Sequence, residues 1–220
     1  MSKKMSNEKL EIITWSEYQQ GIAPLWKVDK PSTIPIWNNP YSIVQYPQHM
    51  WHTDIILFPV KYTVDGVTVA HTCVYNIDDM FIRTRGIYVD AEHRGKGYGH
   101  KIQQAQWDLF PKTFFRAFGF WREDSAPRFQ EYSRMKVVPG TDWIWSDFSK
   151  VNMRFLYSER GHRPTDTEMQ ENRNFIADHR QKYSLGGTNN LNVDWDLLEW
   201  ESYFDTHKGN YEDLEINLNF

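Results

Sequence analysis

Residues 89–100 read VDAEHRGKGYGH and are the most informative segment of the sequence. A β-rich run ends at Val89, a loop with alternating glycines follows, and a helical pattern begins at the end of the loop. Glycine allows the backbone to turn tightly and to approach a ligand closely. The successive N–H groups of such a loop, together with the partial positive charge of a helix N-terminus, favour a bound diphosphate. The stretch therefore predicts a phosphate site made of main chain.

Two other phosphate-binding loops do not fit this stretch. The Walker pattern ends in Gly-Lys followed by Ser or Thr, and that ending is absent here. The dinucleotide fingerprint G-x-G-x-x-G opens a parallel βαβ unit, whereas this loop has the spacing G-x-G-x-G after antiparallel strands. A plain strand-to-helix turn is the remaining alternative, and Arg94 directly before the first glycine argues against it.

The loop resembles that of the GNAT superfamily of N-acetyltransferases. The family pattern R/Q-x-x-G-x-G/A is met by Arg94, Gly97 and Gly99, with Gly95 as the frequent extra glycine. The family usually has Val-x-Pro before the loop, and the proline is missing in VDA at 89–91.

This resemblance implies an α/β fold of the α+β type. Its sheet is mixed and mostly antiparallel, contains a splayed parallel strand pair, and is flanked by helices. The resemblance covers residues 10–157 in element order and is most specific over 87–109. We therefore predict a GNAT-like acetyltransferase domain over residues 1–157. Residues 158–220 are expected to form a C-terminal extension of helix and strand that packs on the same domain.

Local patterns predict the elements on either side of the loop. Asp65-Gly66 joins two β-rich runs and is a strong hairpin signal, so strands are predicted over 55–64 and 67–76. A third strand is predicted over 81–89. After the loop the hydrophobic period changes to about 3.6, which predicts a helix that ends before Pro111.

Later in the chain, the apolar run 113–121 predicts a strand that is covered on both faces. A helix should begin at Asp124 or Ser125, with Phe129, Tyr132 and Met135 on its inner side. Two strands are expected over 143–145 and 151–157. Further predictions are a capping box at Thr165 and Glu168, a polar helix behind it, and a final strand over 214–220.

Acetyl-coenzyme A is the co-substrate that the resemblance implies. Its pantetheine would lie between the strand ending at Val89 and the strand ending near Trp121, and the loop would hold the pyrophosphate. Ser125 stands where the family often has Asn, seven residues before Tyr132, and Lys136-Val137 replaces the usual Gly-Phe. The predicted cofactor-binding residues are Ile87, Tyr88, Val89, Arg94, Gly95, Lys96, Gly97, Tyr98, Gly99 and Ser125.

Amine acetylation needs a neutral amine, a polarised thioester carbonyl and a proton for the departing thiolate. Tyr132 is the candidate catalytic residue that protonates the thiolate, and a core tyrosine is the alternative interpretation. The Val89 N–H is the candidate for polarising the carbonyl. Many relatives use a Glu on the strand before the loop as general base, but residues 81–87 contain no acid. The general base therefore stays open between a water chain and Asp79, His71, Glu123 or Asp124.

The predicted function is acetyl transfer to a primary amine of a small molecule or peptide. A non-catalytic acyl-CoA-binding sensor or interaction module is the alternative, and an acyltransferase directed at a hydroxyl or hydroxylamine is a third option. Arg83 and Arg85 share one side of their strand and are interpreted as solvated charges or, with less weight, as ligands of an acceptor carboxylate. The resemblance also implies an acceptor site between the proline-rich segment and the turn after Trp145. Aromatic rings that attract ammonium groups would line it at Trp37, Tyr41, Tyr46 and Trp51, and the alternative is that these rings seal one edge of the core.

Composition excludes several other classes. The net charge is -4 without a clustered basic excess, which argues against a nucleic-acid binder. No apolar stretch is long enough to span a bilayer, no apolar core follows the first residues as in a signal peptide, and Cys73 is the single cysteine. These features predict a cytoplasmic protein. No metal is predicted, since His49 and His52 lack a third ligand, and a homodimer stays open.

Overall fold

A computed structural model describes residues 6–14, 17, 18, 20, 21, 56–146 and 151–183. The predicted C-terminal strand and the predicted aromatic wall of the acceptor site lie outside the described residues, as do both histidines of the weak metal pattern.

The described part of the chain forms eight strands and three α-helices, with a short 3-10 helix on either side of the first α-helix. The strands are β1 (Glu8–Ile12), β2 (Leu57–Val64), β3 (Val67–Asn76), β4 (Phe81–Val89), β5 (Arg116–Arg122), β6 (Lys136–Val137), β7 (Ile144–Ser146) and β8 (Val151–Glu159). The helices are α1 (Tyr98–Ala105), α2 (Ala126–Tyr132) and α3 (Asp166–Tyr183), and the 3-10 helices are Ala91–His93 and Gln106–Leu109.

One mixed sheet organises these elements. Its order is β1-β2-β3-β4-β5-β8-β6, and β7 pairs with β8 beside that path. The β4–β5 pair is parallel, and the other pairs of described strands are antiparallel. A mixed, mostly antiparallel sheet with a parallel pair and flanking helices is the fold class that the sequence predicted.

The hairpin between β2 and β3 confirms the strongest local prediction. Asp65 has a φ of 51° and Gly66 a φ of 84°, so both central residues adopt the left-handed conformation that a tight hairpin turn needs. The predicted helix after the glycine loop is also present. It runs as α1 and tightens into the 3-10 segment Gln106–Leu109 before Pro111.

Side chains alternate between the two faces of the sheet and build a separate core on each. On one face, Ile82 and Ala117 pack with Ile102 of α1 and Ile176 of α3. On the other face, Phe81 packs in an aromatic cluster whose members include Phe115, Phe118, Phe155 and Tyr157. The sheet is therefore covered on both sides at the β4–β5 pair, as expected for a parallel pair.

Arg83 corrects one interpretation of the sequence. It lies on β4 in the middle of the sheet, its side chain is 0% exposed, and its guanidinium sits 5.0 Å from the ring centroid of Phe120. The interpretation of Arg83 as a solvated charge is wrong, because this face of β4 turns into the aromatic core instead of water.

Beyond β8, the described part of the extension contacts the sheet. The capping box at the start of α3 is confirmed, since the Thr165 N–H donates to Glu168 Oε2 at 2.9 Å and the Glu168 N–H donates to Thr165 Oγ1 at 3.4 Å. Asn172 is fully buried and donates from Nδ2 to the carbonyl of Asp79 at 2.6 Å. None of the helices in the described ranges is long and apolar enough to cross a membrane.

Candidate functional site

The parallel strands β4 and β5 pair only at one end. Phe81, Ile82 and Arg83 pair with residues 116–118, and the pairing stops there although both strands continue. Residues 84–89 of β4 and 119–122 of β5 therefore border an opening that we call the strand gap. An extended ligand with amide groups can enter such a gap and hydrogen-bond its open strand edges, as an added strand would.

The register of β3 and β4 shows which backbone groups face the strand gap. The Asp90 N–H donates to the carbonyl of Val69 at 3.0 Å, and Ala70 is the partner of Val89. Because hydrogen-bonded and non-hydrogen-bonded pairs alternate, the N–H and C=O of Val89 point away from β3 and into the gap. The same alternation directs the backbone of Tyr88 toward β3. Val89 is thus better placed than Tyr88 to offer a main-chain hydrogen bond to a ligand.

A β-bulge interrupts β4 just before these residues. His71 pairs with Tyr88 but Cys73 pairs with Arg85, so two residues of β4 oppose the single residue between them on β3. Gly86 adopts a φ of 65° in the bulge. Sequence reasoning missed this residue, although a glycine inside a β pattern is the usual signal of a bulge.

The glycine loop continues directly from the open end of the gap. Gly95 and Gly97 have φ values of 76° and 82°, and a Cβ atom added to either would meet nothing within 4 Å. Within the described residues, no backbone carbonyl accepts a hydrogen bond from the N–H groups of residues 95–99. The next N–H along the chain, that of His100, donates to the carbonyl of Gly97. The loop therefore presents a row of N–H groups to open space at the N-terminus of α1.

Two basic side chains of the loop hydrogen-bond to carbonyls of residues that precede it. Arg94 donates from Nε to the carbonyl of Val89 at 3.0 Å, and its guanidinium lies 5.4 Å from the ring centroid of Tyr88. Lys96 donates from Nζ to the carbonyl of Glu92 at 3.1 Å. These contacts hold the loop to the end of β4 and add positive charge where an anion would bind.

Comparison with protein families gives one match at this place. Residues 22–111 match the model described as the acetyltransferase (GNAT) family, and this range includes β4, the glycine loop and α1. Over these residues the chain is similar to the GNAT acetyltransferase family.

Solved structures with a similar fold have low sequence identity to this chain. Ard1 from Thermoplasma volcanium is 14% identical, with 70% of this chain and 99% of that chain covered at a TM-score of 0.46. The IAA acetyltransferase from Bacillus cereus is 13% identical. The alignment covers 70% of this chain and 100% of that chain, at a TM-score of 0.49. The PaiA N-acetyltransferase from Thermoplasma acidophilum, solved in complex with coenzyme A, is 11% identical. The alignment covers 70% of this chain and 99% of that chain, at a TM-score of 0.46. Among curated proteins, none matches this chain.

Gly99 brings the glycine loop close to the next helix. A Cβ at this position would lie 3.6 Å from Cγ2 of Val89 and 3.7 Å from Cζ of Phe129. The start of α1 therefore touches both the end of β4 and the middle of α2. This contact places α2 beside the strand gap.

Tyr132 does not occupy the inner side of α2 as the sequence predicted. Its side chain is 66% exposed, whereas Phe129 and Met135 are buried. The chain reverses at Arg134, with a φ of 52°, and the Met135 N–H reaches back to the carbonyl of Phe129 at 3.3 Å. Met135 thereby fills the inner place that Tyr132 was expected to take. The interpretation of Tyr132 as a core residue is wrong, and its catalytic role stays a prediction.

The ring of Tyr132 lies against His100 at the start of α1. The ring centroids are 5.5 Å apart, and Nδ1 of His100 is 2.8 Å from the hydroxyl oxygen of Ser133. Burial, and secondarily the charge of Arg128, lowers the pKa of His100. The imidazole is therefore neutral near pH 7. Sequence reasoning did not single out His100, because the contact depends on how α1 and α2 pack together.

Ser125 occupies the N-cap position of α2, as predicted, but it makes no side-chain cap. Its hydroxyl donates instead to the carbonyl of Arg122 at 3.1 Å and closes the turn after β5. Its role in binding a cofactor stays a prediction.

The acids considered as general base make other contacts. Asp79 accepts from Arg173 at 2.6 Å, and Glu123 accepts from Asn152 at 2.8 Å. Asp124 forms an ion pair with Arg122 at 3.2 Å. Burial lowers the pKa of His71 to about 4, which makes it a weak base. Among the described residues, no group of three or more His, Cys, Asp or Glu side chains is arranged to hold a metal ion.

Proposed function

We propose that the chain transfers an acetyl group from acetyl-coenzyme A to a primary amine of a small molecule or peptide. One observation carries this proposal: an open strand edge runs without interruption into a loop whose N–H groups face open space. The open edge suits the amides of pantetheine, and the loop suits the diphosphate. The open strand edge and the glycine loop meet at Val89, so one extended ligand can bind to both.

The length of the strand gap suggests where the thioester would lie. With the diphosphate at the loop, the pantetheine arm would run along β4 from Val89 back toward Thr84. Five residues of strand span about 16 Å at roughly 3.3 Å per residue. The thioester would then sit within the gap beyond Val89, and the Val89 N–H would bind an amide of the arm. This arrangement moves the polarisation of the carbonyl away from Val89.

The proposed reaction follows from this placement. The neutral amine attacks the thioester carbonyl, a C–N bond forms, and the C–S bond breaks. The amine loses one proton and the departing thiolate gains one. Tyr132 is the proposed donor of that proton, and a water chain the proposed acceptor of the amine proton, since the candidate acids are held by other partners.

Binding and turnover test the proposal separately. We expect acetyl-coenzyme A to bind in the micromolar range, which corresponds to a free energy on the order of 8 kcal/mol. We also expect free thiol to appear when a suitable amine is added. A screen of polyamines, aminoglycosides, amino acids and peptide N-termini, read by thiol release, would identify the acceptor class. A failure to bind acetyl-coenzyme A in calorimetry would overturn the proposal.

A non-catalytic acyl-CoA-binding module is the second candidate. The engaged state of Asp79, Glu123 and Asp124 favours it, because each of these three candidate bases already bonds to another side chain. Micromolar binding without thiol release across the whole amine panel would support this candidate instead.

A further inference from the structure

The strand β1 forms one edge of the sheet, and no other described strand pairs with its outer side. On its inner side, the Ile13 N–H donates to the carbonyl of Pro59 at 2.9 Å, in the register that pairs β1 with β2. Because hydrogen-bonded and non-hydrogen-bonded pairs alternate in an antiparallel ladder, the odd-numbered residues of β1 bond to β2. The backbone N–H and C=O groups of Glu8, Leu10 and Ile12 therefore point outward, away from β2.

The side chains of the same three residues lie on the face of the sheet that α1 and α3 cover. Leu10 pairs with Tyr62, a member of the core on that face, and is only partly buried against this core. Ile12 follows on the same face, because side chains alternate along a strand, and it is 39% exposed. Glu8 is already bonded on this face, since its carboxylate accepts from the Tyr62 hydroxyl at 2.6 Å and from Lys101. The outer edge thus combines open backbone groups with incompletely covered apolar side chains.

The opposite edge of the described sheet is interrupted. There the two-residue β6 and the three-residue β7 both pair with β8, and residues 138–143 separate them. Short strands are one way in which natural sheets protect an edge from further pairing. In contrast, β1 is a continuous strand of five residues. Of these two edges, β1 is therefore the one that a further strand can pair with over several residues.

The helix α3 carries the chain toward this edge. Asn172, near the middle of the helix, donates to the carbonyl of Asp79 at 2.6 Å, in the turn between β3 and β4. Three residues later, the ring centroid of Phe175 lies 6.1 Å from that of Phe110, which in turn lies 5.2 Å from that of Phe58 on β2. The helix therefore runs from the start of β4 toward β2, the neighbour of β1, before it ends.

The sequence after α3 contains a segment that suits the edge of β1. Residues 214–220 lie outside the described residues, and their sequence alternates polar residues with Leu214, Ile216, Leu218 and Phe220. This alternation is typical of a strand with one covered face, and such a strand needs a neighbour to satisfy its backbone. The connecting residues 184–213 can span up to about 100 Å at roughly 3.3 Å per residue, so their length does not prevent the segment from reaching β1.

We propose that residues 214–220 bind the outer edge of β1 of the same chain as an additional strand. The segment pairs with the outward backbone groups of Leu10 and Ile12, and its apolar side chains cover these two residues on the α1 side of the sheet. Pairing within one chain is favoured over pairing with a second copy, because α3 leads toward this edge and the tether keeps the segment at a high effective concentration. The added strand also stabilises β1, whose Glu8 bonds to Lys101 in the first turn of α1.

Amide hydrogen exchange, measured by NMR on the full chain, tests this pairing residue by residue. In the wild type, the outward amides of Leu10 and Ile12 should be protected as well as the inward amides of Lys9 and Glu11. A double variant, Ile216→Asp with Leu218→Asp, places charges on the apolar face of the segment. It should speed exchange at Leu10 and Ile12 at least tenfold, with a much smaller change at Lys9 and Glu11. The matched control, Asn217→Asp with Asn219→Asp, adds the same charges to the polar face and should keep the wild-type pattern.

Three results would overturn the proposal. Fast exchange at Leu10 and Ile12 in the wild type would show that nothing covers the edge. Protection that persists in the double variant would assign the cover to another part of the chain. Protection only at concentrations where light scattering detects a dimer would assign it to a second copy. The single variant Leu218→Asp repeats the test should the double variant not fold, and none of these results bears on acetyl-coenzyme A binding.

Discussion

Arg160 joins the C-terminal extension to the helical segment that follows the glycine loop. Its Nη1 donates to the carbonyl of Trp107 at 2.7 Å, and its guanidinium lies 4.6 Å from the centroid of the Trp107 ring. The same side chain donates to the carbonyls of Phe110 at 2.8 Å and Phe114 at 3.1 Å. Carbonyls at the end of a helical segment lack intrahelical partners, so one arginine satisfies several of them at once.

Replacing Arg160 should therefore destabilise the whole domain. Arg160→Met keeps most of the apolar stem but removes the charged donor to the carbonyls of Trp107, Phe110 and Phe114. We expect the free energy of unfolding to fall by about 2–3 kcal/mol in urea denaturation, since charge-assisted bonds to buried carbonyls are the stronger kind. The exposed Lys112→Ala on the adjoining turn is the control and should change stability by less than about 0.5 kcal/mol. Equal stability of the two variants would contradict this role for Arg160.

The C-terminal extension should behave as part of the same domain. Ser158 and Glu159 pair with β5, Ile176 packs in the core under α1, and Asn172 is fully buried. We expect limited proteolysis to spare residues 158–183. A chain truncated after Tyr157 should melt well below the full chain, because it loses strand pairs and core contacts together. A stable fragment ending near Tyr157 with an unchanged melting temperature would sink this proposal.

Features that depend on neighbouring residues were predictable from the sequence. The Asp65-Gly66 turn, the Thr165–Glu168 capping box and the glycine loop are each defined by a few consecutive residues whose conformation their chemistry restricts. The parallel strand pair followed only from the family resemblance. No local pattern states that β4 and β5 stop pairing after three residues, since that depends on the whole sheet.

Side-chain placement across elements was not predictable in the same way. Arg83 is a charged residue, so the sequence alone favours an exposed position. It is buried because its side chain lies on the face of the sheet that carries the aromatic cluster. Tyr132 satisfies the helical spacing for an inner residue, but the reversal at Arg134 gives that place to Met135.

His71 should make the protein less stable at acidic pH. Burial holds the pKa of His71 at about 4 in the folded state, against about 6.5 in an unfolded chain. Between these values the unfolded chain takes up a proton that the folded protein does not, so stability present above pH 6.5 is lost as the pH falls toward 4. Between pH 7 and 5, this one group should account for about 2 kcal/mol of lost stability.

Urea denaturation of His71→Gln at both pH values isolates this contribution. Glutamine stays neutral throughout, so the variant should lose about 2 kcal/mol less than the wild type between pH 7 and pH 5. Carboxylates with lowered pKa values, such as Glu8 and Glu159, are present in both proteins and cancel in the comparison. Identical pH dependence in the two proteins would show that His71 does not titrate abnormally.

Gly97→Leu should abolish tight binding of acetyl-coenzyme A. The side chain would enter the open space in front of the loop, and a φ of 82° is unfavourable for leucine. We expect at least a tenfold loss of affinity in calorimetry. Gly66→Leu is a matched control, because Gly66 has a φ of 84° and equally open surroundings in the β2–β3 turn. It should suffer the same backbone strain and keep its affinity, and an equal loss in both variants would point to strain alone.

Tyr132→Phe should lower turnover without lowering stability. The ring is 66% exposed, so removing its hydroxyl should change the free energy of unfolding by less than about 0.5 kcal/mol. If the phenol protonates the departing thiolate, kcat should fall on the order of 100-fold while acetyl-coenzyme A affinity stays within about twofold. Steady-state thiol release with the best amine, together with calorimetry, measures both quantities.

A neighbouring variant separates the Tyr132 phenol from a general disturbance of α2. Ser133→Ala removes the contact with Nδ1 of His100, at 2.8 Å, at the same end of the helix and leaves Tyr132 in place. It should keep kcat within about fivefold, because one lost hydrogen bond of this kind contributes roughly 1 kcal/mol to positioning. A wild-type kcat in Tyr132→Phe would remove Tyr132 from the mechanism. A loss of turnover shared equally by both variants would show instead that the junction of α1 and α2 positions the coenzyme.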